Sequence, residues 1–181
     1  MSKRVLRLVA GASFLVAVLA LMLGPVAEGT PKTTFVSKRY GYSMVLAGGS
    51  ARYLTVHAST TWSGSGPGPS DPAFDQINDL KTHSLYMVAA KRIPPGWTLR
   101  RWTSFTISIT VPPCTDKQQT LTKSSLGGAP ALVYELKCAE GLVFQLGAIY
   151  AHRGYFVIYT ADAVDRRAFK AALRSFHFLG K

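Results

Sequence analysis

Four histidines and a few carboxylates are the side chains in this chain that could support acid–base or metal chemistry. The histidines are His57, His83, His152 and His177, and no two of them are close together in the chain. A metal site needs three or four converging ligands, and short spacing on one helix or turn is its usual sequence signal. That signal is missing, and we expect neither a metal ion nor an organic cofactor.

Nucleophilic hydrolysis would need a serine or cysteine together with a histidine and a carboxylate. The Gly-x-Ser-x-Gly motif is absent, and so is a glycine-rich phosphate loop of the Walker or dinucleotide type. Asp75 and Asp79 are four positions apart in Ala73–Leu80, a segment that we predict to be a short helix. Two carboxylates would then share one helix face, and a solvated face explains them better than catalysis does.

The two cysteines, Cys114 and Cys138, form an isolated pair without Cys-x-x-Cys spacing. In an exported domain such a pair predicts one structural disulfide rather than a redox site. In the chain-entropy model the closed loop would stabilise the fold by about 3.5 kcal/mol.

Basic residues form two clusters that could bind an anionic ligand. Arg166, Lys170 and Arg174 recur every four residues in a predicted final helix, with Arg167 beside them. They form a basic stripe that serves either docking or simple solvation. The second cluster is Arg100 and Arg101 beside Trp97 and Trp102. Arginine next to tryptophan is common at interfaces, so a binding surface is as good an explanation there as solvation.

The N-terminal residues have the layout of a secretory signal. Lys3, Arg4 and Arg7 precede an uncharged, mostly apolar run over 8–23, and small residues follow near Gly29. We therefore divide the chain into a signal peptide or membrane anchor at 1–29 and one α+β domain at 30–181. We favour cleavage after Gly29, with an uncleaved anchor helix as the alternative. Either outcome places the domain outside the cytoplasm.

The net charge restricts the class of partner. The chain has 21 basic and 9 acidic residues, and three basic and one acidic residue lie in 1–29, which leaves a net charge of +10 on the remainder. Outside the cytoplasm, such a domain is more suited to an anionic membrane surface or an acidic protein than to nucleic acid. General solubility is the simpler explanation of the same charge.

Alternating and helical patterns predict the elements that would position these residues. Strands are expected in 35–45, at 52–57 and at 121–124, and a buried apolar run is expected in 83–93. Three antiparallel strands follow within 131–160, with turns near Glu140 and at Arg153–Gly154. The segment 63–72 predicts a flexible loop or lid. The segment 97–111 fits both a helix and a strand. A final helix after Asp162 would bury Val164, Ala168, Phe169, Ala172, Leu173 and Phe176.

Several segments together resemble the PsbP-like family of exported bacterial proteins. They are YGYSMVL at Tyr40–Leu46, Trp62, FDQI at Phe74–Ile77, PPGWTL at Pro94–Leu99, GGAPALVYEL at Gly127–Leu136 and RGYFVIYTADAVDRRAFKAALRSFHF at Arg153–Phe178. The resemblance implies an α/β/α sandwich, in which helices cover both faces of an antiparallel sheet, and it favours a helix in 97–109. The chain departs from the family where Ala47-Gly48-Gly49-Ser50 replaces a proline-tryptophan motif, and it lacks the lipidated cysteine of many relatives.

Relatives with this fold include a photosynthetic accessory subunit and a nuclear-transport factor, neither of them an enzyme. The leading expectation is therefore an exported, non-catalytic binding or accessory domain at the outer face of a bacterial membrane. The alternatives are an exported hydrolase with its site under the 63–72 loop, and a structural envelope protein without a ligand. A concave pocket with several ionisable side chains would favour the hydrolase.

Overall fold

Ten β-strands and two α-helices make up the part of the chain that the computed structural model describes, residues 31–66, 71–109, 121–138, 141–161 and 166–180. In chain order they are β1 (Lys32–Ser37), β2 (Tyr42–Ala47), β3 (Tyr53–Val56), β4 (Asp75–Asp79), β5 (Ser84–Arg92), α1 (Leu99–Ser108), β6 (Thr122–Leu126), β7 (Ala129–Cys138), β8 (Gly141–Tyr150), β9 (Arg153–Ala161), α2 (Arg166–Arg174) and β10 (His177–Phe178). All of them belong to one unit, Pro31–Lys181.

The strands form two antiparallel sheets. The larger sheet has the order β3-β4-β5-β9-β8-β7-β6, and the smaller one has the order β1-β2-β10. The predicted hairpin near Glu140 is confirmed, because Cys138 pairs with Gly141. The next turn lies at Ala151–His152, both with positive φ, so Arg153 already belongs to β9 and the predicted turn at Arg153–Gly154 was wrong by two residues.

The prediction of a helix at Ala73–Leu80 was wrong, because this segment is the second strand of the large sheet. Asp75–Asp79 pairs with β3 on one side and with β5 on the other. Hydrogen bonds on both edges override a weak local preference, as tertiary context commonly does. The even spacing of Asp75 and Asp79 puts both carboxylates on one face of the strand, and both are buried.

Helix α1 covers one face of the large sheet, and the resemblance to the family had favoured a helix there. Two glycines of the sheet allow this close approach. A Cβ at Gly147 would lie 3.0 Å from Cβ of Thr103, and a Cβ at Gly154 would lie 2.5 Å from Cδ2 of the Trp102 ring. The Trp102 indole is 1% exposed and donates from Nε1 to the Tyr155 carbonyl oxygen at 2.9 Å.

Helix α2 and the small sheet cover the opposite face. Phe144 and Gly147 are an odd number of positions apart on β8, so their side-chain directions are opposite. Phe169 of α2 stacks on Phe144 with ring centroids 4.8 Å apart, and on Tyr159 at 5.2 Å. The expected α/β/α arrangement is therefore present, and the small three-stranded sheet is an addition that the sequence did not predict.

The signal peptide or anchor predicted at 1–29 lies outside the described residues, as do Val164 and the Asp162 cap of the final helix. No helix among the described residues is long and apolar enough to cross a membrane.

Candidate functional site

The predicted basic stripe lies on the exposed side of α2. Arg166, Arg167, Lys170 and Arg174 are exposed, whereas Phe169, Ala172 and Leu173 are buried. This division follows from the helical repeat, since residues three and four apart share a face. Phe169 anchors the helix on the sheet, so the positions of the four cations relative to β6 and β7 are set by packing.

Arg166 differs from Lys170 and Arg174, because it forms an ion pair. Its Nη2 donates to Oε1 of Glu135 on β7 at 2.6 Å. Both side chains are partly exposed, so the pair adds little to stability, but it commits much of the Arg166 charge. Lys170 and Arg174 have no ion-pair partner among the described residues.

A cavity of about 260 Å³ lies between α2 and strands β6 and β7. Lys123, Arg166, Lys170 and Glu135 contribute its charged groups. The apolar residues that line it are Val133, Phe144, Phe169 and Leu173. We call this cavity the α2 groove. Lys123 was missed at the sequence level, because only the pairing of β6 with β7 brings it to α2.

The second predicted cluster, Arg100 and Arg101 with Trp97 and Trp102, keeps only three of its four residues on the surface. Arg101 lies over the Trp97 ring at 5.0 Å from its centroid, a cation–π contact, and Arg100 is exposed. Trp102 does not belong to this surface, because its ring is buried against β9 and is part of the core. The assignment of Trp102 to a binding surface is therefore corrected. A helix positions its successive residues on different faces, so Trp102 points inward where Arg101 points outward.

Helix α1 starts at these arginines. The Thr98 side chain caps it by accepting a hydrogen bond from the Arg101 backbone N–H at 3.2 Å. Arg100 and Arg101 lie in the first turn, where positive charge opposes the helix dipole. Stability of the helix therefore does not explain their presence.

A larger cavity, of about 710 Å³, opens where the β1–β2 turn meets the segment after β3. Its lining consists of Val36, Ser37, Lys38, Arg39, Tyr40, His57, Ala58, Thr61, Asp75 and Arg153. We call it the Asp75 cleft. Its residues come from four separate chain segments, which is why no spacing rule detected it. Asp75 had been assigned to a solvated helix face, and that assignment was wrong.

Asp75 is the most buried charged group of the cleft, with 1% of its surface exposed. Its Oδ1 accepts a hydrogen bond from the Ala58 backbone N–H at 2.8 Å, and His57 Nδ1 lies 4.0 Å away. The His57 ring stacks on Phe35 with centroids 4.6 Å apart, so packing fixes its plane. The carboxylate thus lies beneath an imidazole whose side chain is 61% exposed.

Two buried tyrosines lie beside Asp75. Burial, together with the Asp75 charge, raises the pKa of Tyr42 well above its ordinary value. Burial also raises the pKa of Tyr40 to about 12, and the Tyr40 hydroxyl donates to the Ala73 carbonyl oxygen. The charges of Asp75, Arg39 and Arg153 all act on that hydroxyl. Asp75, Arg39 and Arg153 all line the cleft.

The cleft has three cations. Arg39 is fixed by three hydrogen bonds, from Nε to the Ala58 carbonyl at 2.9 Å, from Nη2 to the Ser59 carbonyl at 2.8 Å and from Nη1 to Thr61 Oγ1 at 3.3 Å. Lys38 and Arg153 form no ion pair with the described residues. With Asp75 as the single carboxylate, the lining is positive.

The hydroxyl groups of the cleft are committed to the local fold. Ser37 is buried and its Oγ accepts a hydrogen bond from the Tyr40 backbone N–H at 3.2 Å, while Thr61 Oγ1 accepts from Arg39. No group of three or more potential metal ligands occurs among the described residues. Among the described residues, the cleft offers charge and shape for a ligand.

The hydrolase hypothesis places a site under the 63–72 loop, and Trp62, which directly precedes this loop, belongs to the core. Trp62 is 2% exposed and its ring lies within 6 Å of the rings of Phe74, Trp102 and Phe156. Residues 67–70 of the loop lie outside the described part of the chain. The ionisable groups converge in the Asp75 cleft instead.

The predicted disulfide stays a prediction. Cys114 lies outside the described residues, and Cys138 ends β7 at a position where only the backbone is described.

Comparison with known proteins supports the fold. No family model matches the sequence, and no curated protein matches it. Among solved structures, the chain is similar to the solution structure of cyanobacterial PsbP (CyanoP) from Synechocystis, with 14% identity, a TM-score of 0.53 and coverage of 86% of this chain and 96% of that one. It also matches LpqN, involved in cell envelope biogenesis of Mycobacterium tuberculosis, with 12% identity, a TM-score of 0.36 and coverage of 86% and 88%. The chain has a PsbP-like fold.

Proposed function

We propose that this chain is an exported, non-catalytic accessory domain that docks on an anionic membrane surface through α2. The observation that carries the proposal is the α2 groove, in which Lys123 and Lys170 lie beside an apolar lining. A lipid head group and the first carbons of its chain match this combination of charge and apolar surface. An acidic protein surface would match the charges alone.

The distribution of charge supports the same proposal. The chain beyond residue 29 has a net charge of +10, and the exposed cation Arg174 extends the basic surface beyond the groove. The leader-like residues 1–29 would deliver the domain to the outer face of a membrane. The PsbP-like fold is compatible with this function, although a fold alone does not select one.

Co-sedimentation with vesicles tests the proposal. Phosphatidylcholine vesicles would be compared with vesicles of phosphatidylcholine and phosphatidylglycerol in equal parts. We expect binding to the anionic vesicles only, with release as salt rises, because the screening length falls to about 3 Å at 1 M. Absence of binding to anionic vesicles, or binding that salt does not weaken, would contradict the proposal.

A charge-reversal variant locates the surface. Lys123→Glu, Lys170→Glu and Arg174→Glu replace three exposed cations and neither partner of the Arg166–Glu135 ion pair. Each cation near an anionic surface contributes about 1 kcal/mol, so the triple variant should weaken association by about a hundredfold or more.

The matched control places the same change of charge elsewhere on the surface. Lys32→Glu, Lys81→Glu and Arg92→Glu replace three other exposed cations. If this control weakens binding as much as the α2 variant, net charge alone drives association and the α2 surface has no special role. If binding persists in the α2 variant but is lost in the double variant Arg100→Glu and Arg101→Glu, the docking surface is the one formed by these two arginines and Trp97.

A further inference from the structure

The Asp75 cleft has the size of a small-molecule site and a strongly charged lining, and it is separate from the α2 groove. Its volume of about 710 Å³ lies within the range of about 300–1,000 Å³ that is typical of such sites. No residue lines both cavities. The cleft therefore needs its own explanation.

The charges of the cleft favour an anion. Lys38, Arg39 and Arg153 line it against one carboxylate, Asp75, so two positive charges remain in excess. Asp75 is 1% exposed and its Oδ1 accepts the Ala58 N–H, so its carboxylate is less accessible to a ligand than the exposed side chains of Lys38 and Arg39. A ligand would meet the cations first.

Arg39 is preorganised for this role. Its three hydrogen bonds to the segment 58–61 hold the guanidinium in place and use three of its five N–H donors. One N–H on Nη1 and one on Nη2 remain, and both can donate to phosphate or carboxylate oxygens. Since the orientation of Arg39 is fixed before a ligand arrives, less conformational entropy is lost on binding.

The aromatic wall of the cleft suggests the rest of the ligand. His57 stacks on Phe35 with an interplanar angle of 18°, and most of its side chain remains exposed. A flat ring can pack on such a supported imidazole, whereas a bare ion cannot use it. Val36 adds a further apolar surface to the cleft.

We infer that the Asp75 cleft binds a small organic anion, in which a phosphate or carboxylate group meets Lys38, Arg39 and Arg153 and an attached ring packs on His57.

Calorimetric titration of the protein with three probes tests this inference. Phenyl phosphate carries both the anion and the ring, inorganic phosphate carries only the anion, and benzyl alcohol carries only the ring. We expect saturable binding of one phenyl phosphate per chain, weaker binding of inorganic phosphate, and no measurable binding of benzyl alcohol. Benzoate in place of phenyl phosphate then shows whether carboxylate or phosphate is preferred. Failure of phenyl phosphate and benzoate to bind would overturn the inference.

Substitutions assign the binding to the cleft. Lys38→Gln and Arg153→Gln each remove one cation that holds no ion pair, and each should weaken phenyl phosphate binding roughly tenfold. Arg39→Gln is avoided, because it would also release the segment 58–61. His57→Ala should reduce the preference for phenyl phosphate over inorganic phosphate. Lys32→Gln, an exposed cation outside the cleft, is the control and should leave binding unchanged.

The two proposed sites can fail separately. The α2 variant should keep phenyl phosphate binding, and Lys38→Gln should keep vesicle association. If Lys38→Gln and Arg153→Gln bind the probe as the native chain does, or if Lys32→Gln weakens it equally, the cleft is not the site.

Discussion

Replacing Gly154 with alanine tests the packing of α1 on the sheet, on which the position of Trp102 depends. A Cβ at Gly154 would lie 2.5 Å from Cδ2 and 2.6 Å from Cζ2 of the Trp102 indole. Ordinary contacts between carbon atoms are about 3.5–4.0 Å, so the ring or the strand would have to move. The ring has little room to move, because Trp102 is 1% exposed and its Nε1 donates a hydrogen bond to the Tyr155 carbonyl oxygen.

The expected cost combines two effects. Overpacking a filled core costs about 1–3 kcal/mol, and loss of the indole hydrogen bond would add about 1 kcal/mol. The backbone itself accepts alanine, since φ of Gly154 is not in the left-handed region. We therefore expect the free energy of unfolding to fall by about 3 kcal/mol, which lowers Tm by about 6–12 °C for a domain of this size.

Thermal unfolding followed by circular dichroism measures this effect. Gly49→Ala is the matched control, because φ is −70° and nothing lies within 4 Å of the position of the new Cβ. It should leave Tm unchanged or raise it slightly, since alanine lowers the entropy of the unfolded chain. If Gly154→Ala unfolds at the native temperature, Trp102 does not pack on β9, and its assignment to a surface cluster with Arg101 would have to be restored.

Three further predictions concern helix α2, the Arg52–Asp79 ion pair and the cysteines. Phe169→Ala should lower the free energy of unfolding by about 3–5 kcal/mol, because a buried ring that stacks on two aromatic neighbours is lost. Urea titrations measure this change, and an unchanged free energy of unfolding would mean that α2 is loosely attached. Burial alone would raise the pKa of Asp79, but hydrogen bonds, first among them that from Arg52, outweigh it and lower the pKa from 3.8 to about 2. The ionised carboxylate therefore stabilises the fold above pH 4, and about 2 kcal/mol of the free energy of unfolding should be lost as the pH falls from 5 to 2. Urea titrations of Asp79→Asn should not show this contribution to the loss. Thiol labelling of the exported protein in non-reducing denaturant should find Cys114 and Cys138 unreactive, and two reactive thiols would exclude the disulfide.

Local patterns in the sequence were sufficient to predict an element when that element packs on the core through a single face. In α2 the repeat of Phe169, Ala172 and Leu173 predicted both the helix and its buried face, since the helical period alone decides which residues share a side. The β7–β8 hairpin was predicted for a similar reason, because a turn between two adjacent apolar strands needs no distant partner.

Local patterns failed where distant segments compete for the same residues. Asp75–Asp79 has the spacing of a helix turn, yet it is a strand because β3 and β5 supply hydrogen bonds on both sides. Trp102 and Arg101 are neighbours in the chain, and only the contact of α1 with Gly154 decides that one is core and the other surface.

The sequence by itself determined the charge excess, the basic stripe of α2 and the resemblance to a PsbP-like fold. The tertiary structure decided which charged residues lie together in one cleft. Arg39, Asp75 and Arg153 lie far apart in the chain, and the β1–β2 turn meets the starts of β4 and β9 only after the sheets have packed. Spacing rules describe neighbours along one element, so a cleft built by long-range strand pairing has no signature in any single segment.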